Sequence, residues 1–190
     1  MIRYSRFRAA APLLGGVIII SCLMATPAGA ADRSFDFGAE FQLGRAAGKA
    51  FDHAQGSIGL LMRVNNQVTF RIKWNHFGPG DQDPPYRTGF SFTGGAVIHP
   101  LGFYSNNIKS LYFAPYVAVD AGIGAVYGGT DNRFFHLNFL GGGNFDIGNN
   151  WTIFLEGGYL RIDYDNDGRN FGRAGAVDQA VFGAGVRFYF

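Results

Sequence analysis

Residues 181–190 alternate in character without a break. Phe182, Ala184, Val186, Phe188 and Phe190 share one face, and Val181, Gly183, Gly185, Arg187 and Tyr189 share the other. A period of two places successive side chains on opposite sides of a β-strand, so the two sides meet different surroundings. A strand of this kind needs neighbours along its edges, and this one is expected to close a sheet. Residues 151–190 as a whole read as two such strands joined by a polar, glycine-bearing loop.

The same period recurs upstream. In residues 34–45, Phe35, Phe37, Ala39, Phe41 and Leu43 oppose Asp36, Gly38, Glu40 and Gln42. Residues 46–56 read as a loop and 57–64 as the second strand, with Ile58, Leu60, Met62 and Val64 on one side. Asn65-Asn66 tolerates the left-handed backbone of a tight hairpin. In residues 67–75, Val68, Phe70, Ile72 and Trp74 oppose Thr69, Arg71 and Lys73. Residues 76–86 carry Pro79, Pro84 and Pro85 and are read as a loop that cannot be a central strand.

Residues 88–98 form strand four, with Phe90, Phe92, Ala96 and Ile98 on its apolar face, and residues 100–107 read as a turn region. Strand five covers 111–127 and sets Val117, Val119, Ala121 and Ile123 against Tyr116, Asp120, Gly122 and Gly124. After a loop at 128–133, strand six sets Phe135, Leu137, Phe139, Phe145 and Ile147 against His136, Asn138, Asn144 and Asp146. Asn149-Asn150 is a second tight turn before Trp151.

The N-terminus is different in kind. Arg3, Arg6 and Arg8 precede an apolar run at 13–24, and Ala28-Gly29-Ala30 is a small-residue cleavage pattern. Together these read as a signal peptide over residues 1–30, with the mature domain at 31–190. A rival reading takes Ile19-Ile20-Ser21-Cys22 as a lipoprotein box with Cys22 lipidated. Cys22 is the only cysteine, so an exported domain would gain no disulfide. Removing the three signal arginines from the 16 Lys+Arg leaves 13 against 14 Asp+Glu, a balance that gives no support to a nucleic-acid-binding role. After residue 30 no uncharged apolar run is long enough for a spanning helix.

About eight strands, longer polar connections after strands one, three, five and seven, and two-asparagine turns after strands two and six describe one architecture, although the connection after strand four is longer than this pattern prefers. The fold expected is all-β: an eight-stranded antiparallel up-and-down transmembrane β-barrel in the bacterial outer membrane, with Phe190 addressing the barrel-assembly machinery. The competing fold is a soluble barrel of the lipocalin type with its apolar faces inward. It would coat its outside with Arg71, Lys73, Asp120, Asn138, Asp146 and Arg187 and crowd phenylalanines into a small interior.

The run from Tyr116 to Gly124, then residues 134–139, Gly141-Gly142-Gly143, Asn150-Trp151 and residues 156–168 follow one another as in a known family. This half of the chain resembles the outer-membrane lipid A 3-O-deacylases and related acyloxyacyl hydrolases. The resemblance implies an eight-stranded barrel, lipopolysaccharide as partner, and a histidine base and serine nucleophile two residues apart on strand seven. At those places stand Asp163 and Asp165 in one alignment and Arg161 and Asp163 in the other, with Asp178 near the place of the orienting acid. None supplies a hydroxyl or an imidazole, so the expected state is a deacylase-like barrel stripped of its activity. An active esterase with a divergent site and an unrelated structural barrel are the alternatives.

Asp163-Tyr164-Asp165-Asn166-Asp167-Gly168 is the first half of a calcium loop, without the glutamate that closes it, because Ala174 sits there. Asp163, Asp165 and Asp167 are therefore candidate ligands of a weak Ca2+ site at the rim, no other cofactor being expected, against a solvated acidic loop as the alternative. Of the histidines, only His136 is mid-strand, and it is expected to hydrogen-bond inside the barrel beside Asn138.

Overall fold

The computed structural model describes residues 35–48, 52–80, 88–103, 113–126, 132–148, 150–164 and 176–190. The proposed signal peptide, the cleavage pattern and Cys22 lie outside these residues.

Eight strands form one closed antiparallel barrel in sequence order. They are β1 (Asp36–Ala47), β2 (His53–Arg63), β3 (Val68–Gly80), β4 (Gly89–Ile98), β5 (Phe113–Val126), β6 (Asn132–Gly148), β7 (Trp151–Tyr164) and β8 (Ala176–Tyr189). β8 pairs with β1, so the terminal strand closes the sheet as its alternation implied. The strands run from 10 residues in β4 to 17 in β6, enough to cross a bilayer when tilted.

Several strand ends differ from the sequence expectation, and β1 itself runs on to Ala47. β2 begins at His53, so the loop read at 46–56 is shorter, because Ala46 and Arg45 pair directly with His53 and Ala54. β6 begins at Asn132, inside the loop read at 128–133, because Val126 and Ala125 pair with Asn132 and Arg133. β3 continues to Gly80 through Pro79, past the proline taken as its barrier. The β3–β4 ladder stops at Phe77↔Gly89, and beyond it β3 has a partner only in β2, where Gly80 meets His53. A proline fits there because one side of the strand no longer needs a donor.

Two of the three connections at the other end, β2–β3 and β6–β7, are short for local reasons, whereas β4–β5 runs from Ile98 to Phe113. The Asn65 side chain accepts hydrogen bonds from the N–H groups of Gln67 and Val68, both at 2.8 Å, and pins the β2–β3 hairpin. At the β6–β7 turn Gly148 and Asn150 take φ of 86° and 67°, the left-handed conformation these residues tolerate. A 3-10 turn at Pro100–Phe103 follows β4.

The two faces are partitioned as the alternation demands. Leu43, Ile58, Leu60, Ile72, Phe92, Ile123, Phe139, Leu155 and Phe182 point outward, with Leu60 67 % and Ile123 70 % exposed. Arg71, Lys73, Asp120, His136, Asn138 and Arg187 are buried in the lumen. Charges inside and hydrocarbon outside are the inverse of a water-soluble barrel, which excludes the lipocalin-type reading. The barrel is built to stand in a bilayer, where strands closed into a ring leave no unpaired edge.

Candidate functional site

Two places gather chemistry: the lumen and one outward patch near the long-loop end. The lumen is set by parity. Odd positions of β3 and even positions of β5 and β7 point inward, so Arg71, Lys73, Asp120 and Glu156 converge from three strands. Arg71 donates from Nε and Nη2 to the two oxygens of Asp120, both at 2.7 Å. Its Nη1 reaches Glu156 Oε2 at 3.1 Å. Lys73 Nζ lies 3.0 Å from Asp120 Oδ2. Arg187 donates from Nε to Glu40 Oε2 at 2.9 Å and from Nη1 to Asn144 Oδ1 at 2.6 Å.

Three cations and three carboxylates thus share one buried network. Tyr116 donates to Glu156 Oε2 at 2.9 Å, and Gln42 Nε2 donates to Glu156 Oε1 at 2.8 Å. The Arg187 guanidinium stacks 4.0 Å over the Phe154 ring. Buried charges survive only when paired and hydrogen-bonded, and these partners supply both. Space for them comes from residues without side chains. At Gly95, between Arg71 and Asp120 in the sheet, an added Cβ would fall on the Asp120 carboxylate.

Toward the long loops, Ser91, His136 and Asn138 form a second chain. Ser91 Oγ is 2.9 Å from His136 Nδ1, and His136 Nε2 is 3.0 Å from Asn138 Oδ1. Asn75 Nδ2 donates to Ser91 Oγ and Thr93 Oγ1, both at 3.1 Å. With Nε2 carrying the proton to Asn138, Nδ1 is free to accept the serine hydroxyl. The sequence placed His136 beside Asn138 correctly but offered no serine, because Ser91 comes from another strand, β4. All these side chains are buried, and Phe77, Phe134, Leu160, Ile162, Ala46 and Val181 form an apolar layer at that end. Phe77 and Phe134 sit with their ring centroids 5.7 and 6.5 Å from that of His136.

Of the residues aligned with the deacylase pair, Arg161 and Asp163 point outward from the barrel wall. Arg161 and Asp163 do share a face, as positions two apart on a strand must. The result is an ion pair: Arg161 Nε lies 3.2 and 3.3 Å from the two Asp163 oxygens. Asp178, opposite Arg161 on β8, accepts a hydrogen bond from the Tyr159 hydroxyl and lies 3.8 Å from Arg161 Nη1. So Asp163 and Asp178 converge, on an arginine between them. Asp165 and Asp167 lie outside the described residues, among which no group of three or more metal-ligating side chains occurs. At the same end Arg45 holds Asp52 in a two-bonded pair of 2.7 and 2.6 Å. The Asp52 carboxyl is held below its ordinary range, first by that hydrogen bond.

No family model matches the sequence, and no curated protein matches it. Solved structures do match in fold. Neisserial surface protein A superposes with a TM-score of 0.57 at 16 % identity, over 82 % of this chain and 97 % of its own. The N-terminal β-barrel domain of OprF from Pseudomonas aeruginosa superposes with a TM-score of 0.51 at 15 % identity, over 83 % of this chain and 100 % of its own. Both are bacterial outer-membrane barrels, and neither likeness singles out the deacylase family. Identity this low carries the fold alone, and with the apolar outer belt it makes the chain an eight-stranded barrel of the outer-membrane type.

Proposed function

We propose that this chain is a non-enzymatic outer-membrane barrel, deacylase-like in descent but without the nucleophile, that engages lipid headgroups at its outer rim. The observation that carries the reading is the outward patch of Tyr159, Arg161, Asp163 and Asp178. It lies beyond the hydrocarbon-facing Leu155 and Phe182 on the same two strands, at the end where the long loops emerge. Arg133 is exposed at the same end of β6. A guanidinium at a lipid–water boundary matches the phosphate of an anionic headgroup, and carboxylates beside it suit a bridging Ca2+. Asp165 and Asp167 belong to that cation proposal by sequence. Phe190, exposed at the end of β8, is the proposed contact for the barrel-assembly machinery.

The test is thermal unfolding of the refolded barrel in detergent, with purified lipid A and Ca2+ added together or singly. Stabilisation by lipid A is expected for the wild type and a several-fold weaker response for Arg161→Gln. Equal responses would remove the rim site. A Ca2+ response unchanged by Asp165→Ala would remove the cation.

A second reading has one observation in its favour. Ser91, His136 and Asn138 have the nucleophile–base–orienter geometry of an acyl hydrolase. Against it, all three are buried between the charge network and the apolar layer, and Ser91 already accepts from Asn75. Lipid A from an enterobacterial host expressing the protein is expected to keep all its acyl chains by mass spectrometry. Loss of a hydroxyacyl chain that Ser91→Ala abolishes would establish the hydrolase instead.

A further inference from the structure

Seven of the eight ladders in this barrel join consecutive strands, whose register a connecting turn or loop helps to set. The eighth, between β1 and β8, joins residues 38–47 to residues 180–189 and has no turn. Its register is the last freedom of the closing chain. A shift of one residue there would turn every lipid-facing side chain inward and is excluded by hydrophobicity. A shift of two keeps both faces correct and changes only the stagger, hence the tilt and width of the closed barrel. Alternation cannot forbid it, so something else must.

We propose that the Glu40–Arg187 pair selects the register of this seam and with it the stagger at which the barrel closes. Glu40 stands directly opposite Arg187, and the two meet at 2.9 Å with both side chains buried. A two-residue shift would set Arg187 opposite Gly38 in one direction and opposite Gln42 in the other, neither a carboxylate. Either shift breaks the 2.9 Å contact in a low-dielectric lumen, where the other ion pairs of these two groups are long, 3.8 Å from Glu40 to Arg71 and 3.9 Å from Arg187 to Glu156. Neighbouring seam residues agree with the observed register. Tyr189 lies across Gly38, where an added Cβ would stand 3.0 Å from Tyr189 Cδ1. Gln42 fills the space above Gly183, where an added Cβ would collide with its amide. The shift that sets Gln42 against Arg187 also sets Glu40 against Tyr189, large against large, whereas the opposite shift keeps large against small and is opposed by the charge pair.

The experiment reads register directly. In protein carrying Cys22→Ser, Leu43→Cys with Ala184→Cys reports the observed alignment, because those residues are direct partners. Leu43→Cys with Phe182→Cys, and with Val186→Cys, report the two shifted alignments. Direct partners can form a disulfide, whereas positions offset by two are about 7–8 Å apart and cannot without backbone movement. After refolding in detergent, the otherwise unaltered chain is expected to cross-link at 43–184 alone. The neutral pair Glu40→Gln with Arg187→Gln leaves the remaining lumen charges balanced. It is expected to cross-link at a shifted pair as well, with the ratio of observed to shifted alignment falling at least tenfold. Closure at 43–184 alone in that variant overturns the proposal. If the variant does not close, the control is Lys73→Gln with Asp120→Asn, on strands whose register hairpins help to fix. Closure of the control supports a specific seam requirement, and failure of both alike overturns it.

Discussion

The guanidinium of Arg71 and the carboxylate of Asp120 meet edge to edge in the middle of the barrel, with two parallel hydrogen bonds of 2.7 Å. Lys73 shares the same carboxylate at 3.0 Å, so one anion holds two cations from the next-but-one strand. Asp120→Asn keeps the shape and removes the charge. Breaking a buried pair from one side costs about 3–5 kcal/mol, since the opposite charges remain desolvated. The expected outcome is a loss of that size in urea unfolding from lipid vesicles, with Lys73→Met in the same chain recovering part of it.

Leu60 is 67 % exposed and stands between Ala39 and Ile72 of its neighbours, level with Arg71 and Lys73 of the lumen. On a barrel surrounded by water, Leu60→Arg would be nearly neutral. In a bilayer, an arginine at the midplane of the lipid face costs about 2–4 kcal/mol. Folding into vesicles is expected to show that loss, and an unchanged stability would contradict the outward belt as the lipid-facing surface.

His99, in the turn after β4, has its imidazole pushed down to about 4 by burial, with Arg187 and Arg63 adding repulsion. A base that stays neutral when folded and titrates near 6.5 when unfolded contributes stability that is present above the unfolded value. That stability is lost as pH falls through the window from 6.5 to about 4. The wild type is expected to lose up to about 3 kcal/mol more than His99→Gln across that window. Parallel pH profiles of the two proteins would remove the assignment.

The side chains of Arg71, Lys73, Arg187, Glu40, Asp120 and Glu156 fill the lumen and are bound to one another. Planar bilayers containing the wild type are therefore expected to show no stable conductance step. A steady open level would show that this network is not the resting arrangement.

Much of this fold was legible in the alternation. The faces of β1, β5 and β8 are fixed by their own residues, because a strand has only two sides. Strand ends were less legible: β2 and β6 extend into polar, glycine-bearing sequence because a neighbouring strand offers partners there, which no local pattern records. Pro79 misled for the same reason, since its tolerance depends on where β4 stops. Within the lumen, parity alone placed Arg71 and Asp120 inside, yet that they grip each other depends on the barrel's closure. Ser91 was missed as a partner of His136 because the two are distant in sequence. Asp163 and Asp178 were singled out for a family resemblance, and what joins them is Arg161, a residue that one alignment had merely placed where a histidine would stand.

The even count of opposite charges in the lumen has an electrical consequence. A membrane potential does work only on net charge displaced along its field, and three positive groups bound to three negative ones offer none if they move together. The interior of this barrel is therefore expected to be indifferent to voltage, a rivet in the membrane rather than a sensor of it.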